Sequence, residues 1–145
     1  MRPIKLIVQN FGPFIDESLD FSRLNEALFL ISGPTGSGKT TLFDAICYAL
    51  YHEASSPDRL AKGLKSDFVG DDALASVDFT FAVGAQTYRI HRIPEQRRKS
   101  QRGNRIVAQK HEVALYQLVE GGEHLMASAV EEVDAAIGEI IGLSY

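Results

Sequence analysis

The chain has 145 residues, 45% of them hydrophobic and 23% charged, with a formal net charge of −4. That length fits one domain with a single core, and the composition is ordinary for a globular protein rather than a disordered or fibrous one. A lone cysteine, Cys47, excludes an internal disulfide and fits a reducing cytoplasm, while no signal-peptide pattern and no apolar run near the roughly 18 residues that cross a bilayer are present, which argues against a membrane role.

Taken in chain order, Ile4–Asn10 mixes apolar and polar residues in a pattern that predicts a first strand. Phe11-Gly12-Pro13-Phe14 then bends it, and Ser18–Phe21 is a short strand candidate. Ala27-Leu28-Phe29-Leu30-Ile31-Ser32 is apolar on both faces, as a central strand covered from each side would be. From Lys39 to about His52, Leu42, Phe43, Ala45, Ile46, Cys47, Ala49 and Leu50 cover nearly the whole circumference of a helix, which predicts burial all round. Glu53–Ala75 has no period, and Ser55-Ser56-Pro57-Asp58 and Gly70-Asp71-Asp72 are loop chemistry. Val77, Phe79, Phe81 and Val83 alternate against Asp78 and Thr80, and Gly84-Ala85-Gln86 turns that strand into a second one at Thr87–Ile93. Val113–Leu118 is a further strand, followed by a turn at Gly121-Gly122. Ser128 and Glu131 have capping-box spacing ahead of a helical pattern in Val130, Val133, Ile137 and Ile140, and Gly142 sits where a C-cap glycine belongs. These elements predict an α/β lobe, a P-loop nucleotide-binding fold with a mixed sheet around the first helix, antiparallel strands beside it and a closing helix.

The most informative segment is Gly33-Pro34-Thr35-Gly36-Ser37-Gly38-Lys39-Thr40, which matches G-x-x-x-x-G-K-[ST], the Walker A pattern. Its glycines let the backbone curl around a phosphate in conformations that side chains forbid. Main-chain N–H groups from Gly36 to Thr40 can then converge on a β-phosphate at the positive end of the helix. Lys39 supplies a charge for the β- and γ-phosphate oxygens, Thr40 a hydroxyl for Mg²⁺, and Thr41 is placed for the α-phosphate. ATP with Mg²⁺ is the expected ligand.

Charge is distributed unevenly. Between Arg89 and Lys110 eight basic residues face one acid, Glu95, a net +7 that leaves −11 for the remainder. Within it, Arg97, Arg98, Lys99, Arg102 and Arg105 are too polar to be buried. They form either a solvated loop between strands or a contact with the phosphate backbone of double-stranded DNA, without sequence preference. His52, His91, His111 and His124 lack zinc-like spacing, Asp71-Asp72 and Glu131-Glu132 are more simply a loop and a helix start, and Tyr88 and Tyr116 fit sheet positions.

The segment Gln9-Asn10-Phe11-Gly12-Pro13-Phe14, then Phe21-Ser22, the P-loop, Phe43-Asp44-Ala45-Ile46-Cys47-Tyr48-Ala49-Leu50-Tyr51 and Tyr88-Arg89-Ile90-His91-Arg92 resemble the ATP-binding heads of the SbcC family. These are long coiled-coil ATPases of DNA repair and recombination, kin to SMC proteins, that partner an SbcD-type nuclease. The resemblance implies an ABC-type head split between the two ends of one polypeptide. Residues 1–145 would be its N-terminal lobe, ending about where the family runs into its glutamine loop, with the signature motif, Walker B aspartate and catalytic glutamate supplied by a C-terminal lobe. It also implies a site completed by a second head, so that the lobe alone hydrolyses ATP negligibly. Asp44 and Asp78 are the nearest Walker B candidates, and neither sits on an apolar strand in the required way. Related heads often place a basic residue after the Asn-Phe pair, where it can touch the nucleotide, and this chain has Gly12 there. Lys65 and Ser66 resemble a family segment that reaches the nucleotide. Other readings of the same P-loop are an SMC-like, RecN- or RecF-like or ABC-transporter lobe, a stand-alone kinase, whose acceptor pocket and catalytic acids the sequence lacks, and a non-catalytic interaction module.

Overall fold

The computed structural model describes residues 1–24, 29–53, 55, 64–100, 103 and 105–142. Its centre is a six-stranded sheet in the order β2-β1-β3-β4-β7-β8, formed by β1 (Arg2–Phe11), β2 (Phe14–Asp20), β3 (Ser76–Val83), β4 (Gln86–Ile93), β7 (Glu112–Val119) and β8 (Gly122–Ala127). A separate two-stranded ribbon joins β5 (Gln96–Lys99) to β6 (Ile106–Gln109). The P-loop helix α1 (Lys39–Tyr51) packs across β1, β3 and β4, and α2 (Val130–Ile141) lies against β7, β8 and α1.

Alternation along the strands sends one set of side chains to the helices. Leu6, Val8, Val77, Phe79, Phe81, Ile90 and Leu115 are fully buried there, against Ala45, Tyr48 and Ala49 of α1 and Val133 and Ile137 of α2. Burying each large side chain of that set contributes about 1.5–3 kcal/mol. The opposite face mixes apolar residues such as Ile7 and Leu118 with charged ones. On it Arg89 bridges Asp78 (2.6 Å) and Glu123 (2.6 and 2.7 Å) with its guanidinium 4.6 Å from the centre of the Tyr116 ring. Burial raises the Asp78 carboxyl, but hydrogen bonding to His91 and the charge of Arg89 outweigh it and hold Asp78 below its ordinary range.

Several expectations are corrected. Every strand pairing among the described residues is antiparallel, so the sheet around α1 is not mixed. The expected central strand at 27–32 falls partly outside the described residues (Ala27 and Leu28). Phe29–Ser32 is irregular and pairs with no strand among the described residues, with Leu30 89% exposed. The α1 helix is not buried all round, since Phe43 is 53% exposed on the side away from the sheet. No capping box forms at Ser128. Helix α2 starts one residue later, its N-cap is Ala129, and no side chain caps it, although Glu131 and Glu132 sit in the favourable first turn. The edge strand β8 carries no alternating signature, being exposed along most of its length. The basic segment is a ribbon rather than a plain loop, with Arg97 opposite Ala108 and Lys99 opposite Ile106.

Candidate nucleotide site

The P-loop opens a cavity of about 440 Å³ at the N-terminus of α1, lined by Pro13, Thr35, Gly36, Gly38, Lys39, Thr40 and Thr41. Gly36 and Gly38 hold left-handed backbone angles (φ 85° and 86°), and Gly38 is the N-cap of α1. A side chain at either position would be strained, which is the local reason for glycine there. The first-turn amides of α1 have no acceptor within the helix, so they are free to face an anion.

Lys39 is folded back over the loop. Its Nζ donates to the carbonyls of Gly33 and Pro34 (both 2.7 Å) and lies 3.4 Å from Ser37 Oγ. Polar backbone therefore satisfies the ammonium at the rim of the cavity, from which it can swing to a phosphate. Thr40 is exposed and Thr41 half-buried, both on the cavity wall.

Pro13 is a site residue that the sequence pattern marks only as a bend. The Phe11–Phe14 turn folds over the start of α1, so Pro13 forms part of the wall and Phe14 packs on Gly38. The same packing accounts for Gly12 at the position where the family resemblance leads to the expectation of a base. A Cβ there would stand 2.6 Å from Thr41 Cγ2, so a side chain would collide with the helix.

Lys65 lies elsewhere. Its backbone bridges Phe11, but its Nζ donates to the Arg97 carbonyl at 3.1 Å and sits 4.0 Å from Asp71, and it is not among the cavity-lining residues. Ser66 donates its amide to the Asn10 carbonyl, bracing the turn from behind.

At the far end of α1, Arg92 has 0% side-chain exposure. Its Nε donates to the Ala49 carbonyl at 2.7 Å, and its Nη2 to Leu50 O at 3.5 Å and to Asp134 Oδ1 at 2.6 Å. By sequence it belongs to the basic stretch, yet it serves as a helix C-terminal clamp. Arg89 is also engaged, leaving Arg97, Lys99, Arg105 and Lys110 as exposed bases of the segment, with Arg98 half-buried. Arg102 lies outside the described residues. Asp44, on α1, is fully buried and accepts the backbone N–H of Ser55 at 3.1 Å and its hydroxyl, so it is a structural acceptor. Cys47 is half-buried, and burial, then the Asp44 charge, push its thiol up. Among the described residues no cluster of three or more potential metal ligands occurs, and no helix is long and apolar enough to cross a membrane.

A family profile described as an AAA domain matches residues 5–130, which include the P-loop, α1 and the sheet from β1 to β8. The chain belongs to the AAA domain family. Nucleotide binding comes with that AAA domain, and the P-loop cavity is where this chain has the geometry for it. The SbcC subunit of nuclease SbcCD from Vibrio cholerae is 40% identical over 145 residues, covering 99% of this chain and 14% of that protein. The protein of the same name from Staphylococcus epidermidis is 39% identical over the same span, and that of Staphylococcus saprophyticus is 50% identical over 93 residues, 63% of this chain and 9% of that protein. The resemblance to SbcC therefore extends over the whole AAA domain. The chain spans 14% of the length of the relatives it matches from end to end.

Proposed function

We propose that this AAA domain is the N-terminal lobe of an SbcC-type head, binding Mg-ATP so that head closure controls an associated SbcD-type nuclease in double-strand-break repair. The observation that carries the reading is the cavity at the start of α1. Left-handed glycines, free amides, an ammonium and three threonines surround it. Gly33–Lys39 would wrap the triphosphate, Lys39 would turn from its carbonyl acceptors to the β- and γ-phosphates, and Thr41 would meet the α-phosphate. Mg²⁺ fits the hard oxygen donor at Thr40, beside the phosphates, where it would neutralise their charge.

The exposed Leu30 and the run at Phe29–Ser32, which pairs with no strand among the described residues, support a partner lobe of the same head, whose strands would take up that edge and cover both faces. Water positioning and a full metal shell are needed for hydrolysis. A C-terminal lobe and a second head would complete them, so the lobe by itself binds nucleotide and turns it over negligibly. The ribbon bases Arg97, Arg98, Lys99 and Arg105, with Arg102, would meet the DNA backbone, and a cytoplasmic location fits such work.

Calorimetric titration of the 145-residue chain with Mg-ATP tests the core of this reading. Saturable binding lost on Lys39→Ala is expected. Binding that survives Lys39→Ala unchanged, or steady ATP turnover by the chain alone, would refute it.

A further inference from the structure

We infer that Phe14 is a positioning residue for the phosphate loop, its ring holding Gly38 in the left-handed conformation that starts α1. The inference rests on the phosphate-cradle reading of the same site. Gly38 is the hinge of the cradle. It is the N-cap of α1, its carbonyl already accepts the Leu42 amide at 3.1 Å, and the peptide that follows it sets the direction of the Lys39 and Thr40 amides. Glycine is the residue least able to hold such a conformation alone, because its own sterics permit many others. Something outside the loop has to select this one.

The structure places Phe14 against it. The point where a Gly38 Cβ would stand is 2.5 Å from Phe14 Cζ, 3.2 Å from Phe14 Cε1 and 3.0 Å from Pro13 Cγ. The turn bearing these rings is itself braced from behind. Gly12 N donates to Leu64 O, Ser66 N to Asn10 O, and Asn10 Nδ2 to Leu74 O, each at 2.8 Å. Gly12 in turn sits against Thr41, with its missing Cβ 2.6 Å from Thr41 Cγ2. The β1–β2 turn thus fills the space on one side of the cradle and cannot retreat from it. Pro13 lines the cavity, whereas Phe14 does not, so Phe14 acts through Gly38 and not on the ligand.

The test uses the 145-residue chain with two probes, Mg-ATP and inorganic tripolyphosphate, titrated calorimetrically. Phe14→Ala should weaken both by the same factor, about tenfold. Phe14→Tyr should also weaken both, because its added oxygen grows from the ring atom nearest Gly38, while Phe14→Met, apolar and adaptable, should recover most of the affinity. Leu19→Ala, a half-buried core contact on the same strand, should leave affinity unchanged. Faster amide hydrogen exchange at 38–40 in Phe14→Ala should accompany the loss, and it reads out the cradle even in a variant too weak to titrate. Affinities within twofold of the unaltered chain for both Phe14→Ala and Phe14→Tyr would overturn the inference. So would an equal loss in Leu19→Ala, which would mean general loosening, or a loss confined to ATP, which would mean contact with the nucleoside. If the unaltered chain bound neither probe, the cradle reading itself would fall and take this inference with it.

Discussion

Replacing Arg92 with methionine should destabilise the domain more than deleting its ion-pair partner. The guanidinium has no exposed surface, yet Asp134 keeps 41% side-chain exposure. Removing one member of a fully buried pair costs about 3–5 kcal/mol. In Asp134→Ala the stranded charge still has the Ala49 and Leu50 carbonyls as acceptors, so the cost should be nearer 1–3 kcal/mol. In Arg92→Met the two carbonyls at the end of α1 lose their donor. They are among the last four of the helix and have no partner within it. Two buried carbonyls left without a donor cost about 1–3 kcal/mol each. The favourable charge at the helix C-terminus, about 0.3–1 kcal/mol, is lost as well. Against that, methionine fills similar volume, Asp134 can hydrate, and Arg92 Nη1, which has no partner among the described residues, is no longer buried. About 2–5 kcal/mol is the balance. Urea unfolding followed by circular dichroism measures both variants. An Arg92→Met chain within 0.5 kcal/mol of the original, the range of an ordinary surface change, would refute the clamp. An Asp134→Ala loss as large as that of Arg92→Met would show that the ion pair, not the carbonyls, dominates.

The stacked pair His52 and His111, with ring centres 3.8 Å apart, should make stability fall in acid. Burial first, then the His52 and Arg92 charges, bring His111 down to about 4, and burial and Arg92 lower His52 as well. Both folded values lie below the unfolded one near 6.5, so the stabilisation is complete above about pH 6.5 and drains away as pH falls toward 4. An NMR titration in which His111 titrated at its ordinary value would contradict this, and His111→Gln should flatten the pH dependence of the urea midpoint. For the ribbon, Arg97→Gln with Arg105→Gln should reduce the salt dependence of duplex binding by about 0.9 log unit for each phosphate no longer neutralised. An unchanged slope in filter binding would take DNA away from this surface.

Much of the site was legible because the cradle is local. Glycine, lysine and threonine at fixed spacing dictate a left-handed loop at a helix start, and α1 begins at Lys39 as expected. The antiparallel hairpin of β3 and β4 was equally legible, since Val77, Phe79 and Phe81 bury one face and leave Asp78 and Thr80 on the other. What escaped depends on partners remote in sequence. Nothing in a stretch of arginines tells Arg92, which reaches carbonyls more than forty positions earlier, from Arg97, which is exposed. Strand β8 has no buried face to announce it. The run at Ala27–Ser32 shows the reverse case, an apolar pattern that promises burial on two faces while Leu30 stands 89% exposed.

These features together make α1 a helix held from both ends by groups outside it. At its start, the β1–β2 turn sets Gly38 and presses on Thr41. At its end, His52 closes the last turn with its amide on Tyr48 O, and Arg92 takes the next two carbonyls and ties them to α2. A triphosphate would add its charge at the first end, where the helix dipole favours an anion, and Arg92 already supplies a cation at the other. Neither fastening belongs to the P-loop motif, and each draws on a different part of the sheet, β1–β2 for the turn and β4 for the arginine. A displacement of α1 as a body would therefore carry a change in the phosphate cradle to α2 through Arg92 and Asp134.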